Sequence, residues 1–390
     1  MLNNSTNERG KGRSLIKAFL LTLPMLFIMA LMITGGSGLP KDPLHLLPMI
    51  IAYIFINGTF FLMILTMKTD KYRSLLFVTY ALCFVITFIS NLIEVRGSMV
   101  LTHEDMSQGH TPFCHMVIPM VIVPAALTRT IIFPGSMLEG FAAIGSMLVL
   151  WLGASITLGK GWCSWACFYG GLDEGFSRIA KRPIVKNINK KWTYLPFAIL
   201  LVIVLTSAAT LAPTYCAWLC PFKAVTEFEE ISSSKILLQT IIFFSLFVGL
   251  VIVLPILTKR RIQCGLFCPM GAFQSFTNKF NIFEVRIDPE KCVQCNLCVK
   301  TCPTFSIDEE SVKKGKPKIT CTKCGKCVDA CPKEAASFHI KGTPLGVNYE
   351  KARLIFIYPA FLFLAIMGSG MITGAIYRVL LLVTTESMFK

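Results

Sequence analysis

The chain has 390 residues, 54% of them hydrophobic and only 15% charged, with a formal net charge of +16. A soluble globular domain carries about 25% charged residues, so a single water-soluble domain is excluded. A mean hydropathy of +0.63 and sixteen cysteines point instead to a membrane protein with thiol chemistry.

A spanning helix needs roughly 20 mostly apolar residues. Such runs occur near residues 16–35, 46–67, 74–93, 140–158, 195–212, 236–257 and 354–377, which predicts about seven spans. The first run follows Lys11, Arg13 and Lys17 and is longer than a signal-peptide core, so it reads as an uncleaved anchor. The stretch Val117 to Phe133 is interrupted by Pro119, Pro124 and Arg129, and reads as a re-entrant or interfacial segment. Arg129 in that stretch reads either as an anchor for an anionic group or as a helix C-terminal cap.

The charges then set an orientation. Lys11, Arg13 and Lys17, the Lys68/Lys71/Arg73 loop, the loop from Lys160 to Lys191, and Lys259–Arg261 all fall on one side. By the positive-inside rule that side is the cytoplasm. Glu94, Glu104 and Asp105 fall outside, as do Glu227, Glu229 and Glu230. Counting Val117–Phe133 as a full span would put the most basic loop outside. No nucleic-acid motif accompanies the basic charge, so nucleic acid is not an expected partner.

Residues from about Phe283 to Gly346 form a polar insert before the last run, and hold eight of the sixteen cysteines. They read Cys292-x-x-Cys295-x-x-Cys298-x-x-x-Cys302-Pro303, then Cys321-x-x-Cys324-x-x-Cys327-x-x-x-Cys331-Pro332. This is the bacterial two-cluster ferredoxin run, in which the fourth cysteine of each run ligates the other cluster. One [4Fe-4S] set is therefore Cys292, Cys295, Cys298 and Cys331, and the second is Cys321, Cys324, Cys327 and Cys302. Zinc sites use two pairs of ligands rather than quartets ending in Cys-Pro. The Lys313–Lys318 stretch reads as a solvated turn or as a docking patch for an acidic redox partner. The chain is thus expected to be an α-helical polytopic membrane protein with an inserted small α+β two-cluster ferredoxin-like domain.

Three further pairs share one spacing: Cys163/Cys167, Cys216/Cys220 and Cys264/Cys268. Residues i and i+4 of a helix share a face, so two pairs supply four thiolates. Cys163/Cys167 and Cys264/Cys268 both follow spans on the basic side, and together read as a third [4Fe-4S] site at the membrane surface. Cys216/Cys220 falls on the opposite side of a core about 30 Å thick. There it is expected near the loop that carries His110, Cys114 and His115. That far-side set reads as a further cluster or metal site, as a local Cys216/Cys220 disulfide, or as inert thiols. Cys83, mid-run, reads as a packing residue. His103, His110 and His115 with Glu104 and Asp105 read as a proton relay for a quinol or as solvated loop residues. No Cys-x-x-Cys-His run exists, so covalent haem is not indicated.

Gly161-Trp-Cys-Ser-Trp-Ala-Cys167, Cys216-Ala-Trp-Leu-Cys-Pro221, Cys264-Gly-Leu-Phe-Cys-Pro-Met-Gly-Ala272 and the Cys292–Pro332 repeat resemble the membrane polyferredoxins of the NapH, NosR and CcoG type. The resemblance covers roughly residues 140 to 345. It implies electron transfer between the quinone pool and a terminal or periplasmic reductase, as part of a respiratory complex in a prokaryotic cytoplasmic membrane. A partner oxidoreductase of the iron–sulfur, flavin or molybdenum kind is then expected, with quinone as a candidate co-substrate. The same resemblance also allows a membrane metal reductase that serves assembly of another enzyme. A plain anchor subunit for a soluble oxidoreductase is the third reading. The expected organisation is N-terminal spans over 1–135, a core with the three cysteine pairs over 136–282, the ferredoxin-like domain over 283–346, and a last span over 347–390.

Overall fold

A computed structural model describes residues 13–34, 39–95, 144–186, 188–210, 214–226, 233–344 and 349–385. The broken stretch 117–133, with Arg129, lies outside these residues. So does the loop with His103, Glu104, Asp105, His110, Cys114 and His115.

Helices occupy all the long apolar runs. They are α1 (Leu15–Thr34), α2 (Pro43–Thr66), α3 (Thr69–Val95), α4 (Ile144–Thr157), α5 (Phe168–Ile179), α6 (Lys191–Thr210, opening in a 3₁₀ turn), α7 (Ser234–Thr258), α8 (Pro269–Thr277) and α9 (Tyr349–Thr385). Among the described residues five of these, α1, α2, α6, α7 and α9, are long and apolar enough to cross a membrane. The 14 described residues of α4 span only about 21 Å. The outward faces stay apolar: Ile16 is 75% exposed, Ile54 63% and Leu201 60%. Such continuous apolar exposure suits lipid rather than water.

Local chemistry sets the helix ends. Asp42 is extended and accepts a bond from the Leu44 N–H at 3.0 Å, with Pro43 in the first turn of α2. An aspartate cap followed by proline is a strong start signal. Ser233 caps α7 in the same way, through the Ile236 N–H at 3.3 Å. Within α7 the turns Phe247–Val253 are π-helical and lie just before Pro255. Proline has no N–H to donate, and a wide turn absorbs the interrupted ladder.

The cysteine-rich segment sits between two antiparallel strands, β1 (Phe283–Ile287) and β2 (Ala336–Ile340), with Val285 opposite Phe338. Its two halves repeat. Gln294, Asn296 and Phe305 have positive φ, as do Lys323, Gly325 and Glu334, each 29 residues later. The same offset separates Cys292 from Cys321. At Gly325 the φ of 86° and the Thr69 side chain, 3.2 Å from where a Cβ would stand, favour glycine. Left-handed residues between right-handed ones turn backbone N–H groups inward, the usual anion-holding arrangement around iron–sulfur sites.

This segment is pinned to the helices. Asp329 accepts from the Thr69 and Asp70 N–H groups at 3.2 and 2.7 Å, which caps α3 from another part of the chain. Trp165 Nε1 donates to the Lys323 carbonyl at 3.1 Å, and Asn278 Nδ2 donates to the Cys321 carbonyl at 2.8 Å. Phe356 of α9 stacks on Phe338 at 4.9 Å and meets Phe283 edge-on at 5.4 Å. Asp329→Ala removes both caps from α3. The expected cost is about 1 kcal/mol. Amide exchange at Thr69 and Asp70 should then quicken roughly fivefold, while exchange in β1 and β2 stays the same.

Candidate metal centres

Among the described residues, twelve of the thiols fall into three groups. A cavity beside β2 is lined by Cys292, Cys295, Cys298 and Cys331, with Ile287 and Val312 behind them. Cys298 lies within electrostatic reach of Cys292 and Cys331. In the second group Cys327 faces Cys321, Cys324 and Cys302. These are the quartets that the motif spacing assembles, each with its fourth cysteine from the other run. Cys327 also reaches Cys298, so the two groups are neighbours. Cys295 is exposed, whereas Cys302, Cys324 and Cys327 are buried. The first group is therefore the outer one.

The third group combines two of the Cys-x-x-x-Cys pairs. Cys167 reaches Cys163 and Cys268, and Cys264 reaches the same two. Short helical turns present them. Trp162–Trp165 carries Cys163, and Cys167 stands in extended conformation at the start of α5. The π-turn Gln263–Phe267 carries Cys264, and Cys268 precedes Pro269 at the start of α8. Gly170 lets these turns close. A Cβ there would stand 2.2 Å from the Cys163 carbonyl oxygen and 2.5 Å from Arg261 Nη2. The group packs into the helical bundle against α3. Cys167 sits beside Tyr80, and the next residue, Phe168, stacks on Phe84 at 3.6 Å. Tyr80 lies ten residues along α3 from Asp70, or about 15 Å. The reason is that residues 162–168 turn back into the bundle before α5 returns along α3.

Among the described residues, no three His, Cys, Asp or Glu side chains converge tightly enough to hold a single metal ion. A cubane gives one thiolate to each of four irons, and so takes ligands set farther apart. Four-thiol groups with nearby backbone N–H donors fit that cluster. The thiols of the third group need it for another reason. Burial pushes Cys268 up to about 12 and raises Cys163, Cys167 and Cys264. The ligand form is the thiolate, so loading iron must drive these protons out.

Buried charge surrounds the inner groups. Lys160 is 3% exposed and faces Cys163, Cys264 and Cys268 of the third group and Cys321 of the second. Burial lowers its ammonium pKa, and the thiols oppose that shift. Arg73 is fully buried. Its Nε donates to the Cys324 carbonyl at 3.0 Å and its Nη1 to the Ser164 carbonyl at 2.9 Å. It also grips Glu174 through both Nη atoms, at 2.5 and 3.0 Å. Burial opposes ionisation of Glu174, but Arg73, Arg178 and Arg261 outweigh it and hold the carboxyl below the usual range. In the sequence Lys160, Arg73, Arg178 and Arg261 read as part of the cationic side that sets orientation and favours reduced clusters, with no sign of individual burial, and Asp173 and Glu174 do not stand out as single residues. The one available signal was an adjacent acid pair, Asp173-Glu174, inside an otherwise apolar stretch.

The Cys216/Cys220 pair belongs to a separate segment of the chain. Thr214–Trp218 is helical, and Pro221 then turns the chain so that Phe222 points back into the bundle at 3% exposure. Gln239 Nε2 holds this segment through the Ala217 carbonyl at 2.9 Å. Phe222 stacks on Tyr169 at 3.6 Å, and Tyr169 meets Phe168 at 3.9 Å. An aromatic run thus links the residue after Cys167 to the residue two after Cys220. The other expected far-side donors, Cys114, His110 and His115, lie outside the described residues. Cys83 packs on the apolar core of the bundle.

Known proteins resemble these segments. A 4Fe-4S dicluster domain matches residues 284–332. A 4Fe-4S binding domain matches three times, over 140–187, 192–236 and 240–286. Each of those three matches contains one Cys-x-x-x-Cys pair. YccM of Escherichia coli, named as an electron transport protein, is 25% identical over 171 residues, covering 42% of this chain and 46% of that one. The methylamine utilization ferredoxin-type protein MauN of Methylobacillus flagellatus is 24% identical over 175 residues, 44% of this chain and 58% of that one. An uncharacterized protein of Methanocaldococcus jannaschii is 26% identical over 155 residues, 37% of this chain and 52% of its own. The chain spans about half the length of the curated relatives it matches. No solved structure matches.

Gly170→Ala should disturb the third group, since the new methyl meets backbone and guanidinium. Overpacking of this kind costs about 1–3 kcal/mol, which should appear as a lower Tm. Gly153→Ala, inside α4 with nothing within 4 Å of the new Cβ, should leave Tm the same or raise it, since alanine is the better helix former.

Proposed function

We propose that this ferredoxin-type iron–sulfur electron-transport protein is a multi-pass wire of a prokaryotic cytoplasmic membrane. It carries electrons between a redox partner on its cytoplasmic side and the quinone pool or a far-side acceptor, as a subunit of a respiratory oxidoreductase. Cys292, Cys295, Cys298 and Cys331 would hold one [4Fe-4S] cluster. Cys302, Cys321, Cys324 and Cys327 would hold a second, and Cys163, Cys167, Cys264 and Cys268 a third. Each cluster supplies one-electron chemistry without breaking a bond.

The observation that carries this reading is the continuity of the thiol groups. Cys327 adjoins Cys298, and Lys160 stands between Cys321 and the third group. The order runs from the exposed Cys295 to the buried Cys167. The residues exclude water from the inner groups and supply cations that offset thiolate charge. The Phe168–Tyr169–Phe222 run continues the direction toward Cys216/Cys220. The names of YccM and MauN support electron transfer as the role. The exposed Cys295 makes the outer thiol group the contact point for a redox partner.

The test is electron transfer across proteoliposomes, from a reductant outside to an entrapped acceptor. Cys163→Ala and Cys264→Ala should abolish transfer while the two ferredoxin-type clusters remain. Unchanged transfer would support a plain anchor and sink the wire. Tyr169→Leu and Phe222→Leu should slow transfer without loss of iron.

A further inference from the structure

Arg261 lies in the turn after α7 and is fully buried. Its backbone N–H donates to the Pro303 carbonyl at 2.8 Å. Its Nη1 donates to Ser164 Oγ at 2.6 Å, and its Nη2 to the Cys163 carbonyl at 2.5 Å. The same Nη2 also donates to Cys264 Sγ, at 3.2 Å. Glu174 Oε2 is 3.7 Å away. This guanidinium is therefore held at both halves of the third group and bonded directly to one of its sulfurs.

Asp173 faces the same cysteine with the opposite charge. It is fully buried. Its Oδ2 accepts from the Cys264 backbone N–H at 2.9 Å. The carboxylate also faces the Arg261 guanidinium, the Cys264 side chain and the Gln263 N–H.

Hydrogen bonds to the sulfurs, burial and net charge set the potential of an iron–sulfur site. A guanidinium stays protonated throughout the working range. Away from water its field on the site is weakly screened. An electron added to the site gains from a cation and loses from an anion. We propose that Arg261 and Asp173 are opposed tuning residues of the Cys163/Cys167/Cys264/Cys268 centre. Arg261 favours its reduced form, and Asp173 its oxidised form. Both are positioning residues that act through Cys264. The step they bias is a single-electron transfer from the neighbouring Cys302/Cys321/Cys324/Cys327 centre, with no bond made or broken. The inference rests on the third cluster proposed above.

The experiment is an EPR-monitored redox titration of the purified full chain at pH 8. Arg261→Gln should shift the reduction equilibrium of this centre at least tenfold toward the oxidised form. That is at least ~59 mV lower for one electron. Asp173→Asn keeps an oxygen to accept from the Cys264 N–H and removes the charge, so it should shift the midpoint upward. An unchanged or raised midpoint in an iron-replete Arg261→Gln protein would overturn the proposal. So would an unchanged or lowered midpoint in Asp173→Asn. If Arg261→Gln loses iron, Asp173→Asn decides alone by the same rule. Iron in the unaltered protein separates the two claims. About eight atoms per chain would remove the third cluster itself, whereas about twelve with unmoved midpoints would remove only the tuning.

Discussion

One buried guanidinium holds the parts together. Arg73 joins the ferredoxin-like segment at the Cys324 carbonyl, the Cys163–Cys167 turn at the Ser164 carbonyl, and α5 at Glu174. Its own helix adds Asp70, at 2.8 Å from Nη2. Arg178 closes the ring by bonding both Asp70 and Glu174. Breaking one partner of a buried ion pair typically costs 3–5 kcal/mol, because the other is left uncompensated. The cluster-bearing parts are therefore locked in register with the helices. They do not float on a linker.

That lock has an electrostatic result. In the second and third thiol groups, burial first and then the neighbouring thiols raise Cys321 and Cys268. Lys160, Arg73 and Arg261 supply the positive charge that thiolate groups need in such surroundings. The +16 of the sequence is thus not only a label for one membrane face. Part of it is spent inside, between the thiol groups. The aromatic run from Phe84 through Phe168 and Tyr169 to Phe222 then fills the space between the third group and Cys216/Cys220.

Much of this was legible in the sequence, for physical reasons. Quartet spacing is local, so the ferredoxin-type segment and its crossed cysteines could be read from Cys292 to Pro332. Apolar runs are also local, and helices stand where they occur. Pairing Cys163/Cys167 with Cys264/Cys268 followed from which side each lies on. What escaped was depth and long-range contact. Nothing local marks residues 162–168 as turning back into the bundle, or Phe222 as folding onto Tyr169. Arg73, Arg261 and Lys160 carry the same letters as solvated cations. Only their partners, up to 251 residues away for Arg73, reveal that they are buried.

The central claim is that three four-thiol groups are filled, one of them within the helical bundle. Iron and acid-labile sulfide per purified chain, with EPR of the reduced protein, measure this most directly. The account predicts at least about twelve of each, with spin coupling among neighbouring clusters, from four irons per cluster. About eight, with only the two ferredoxin-type signals, would contradict it.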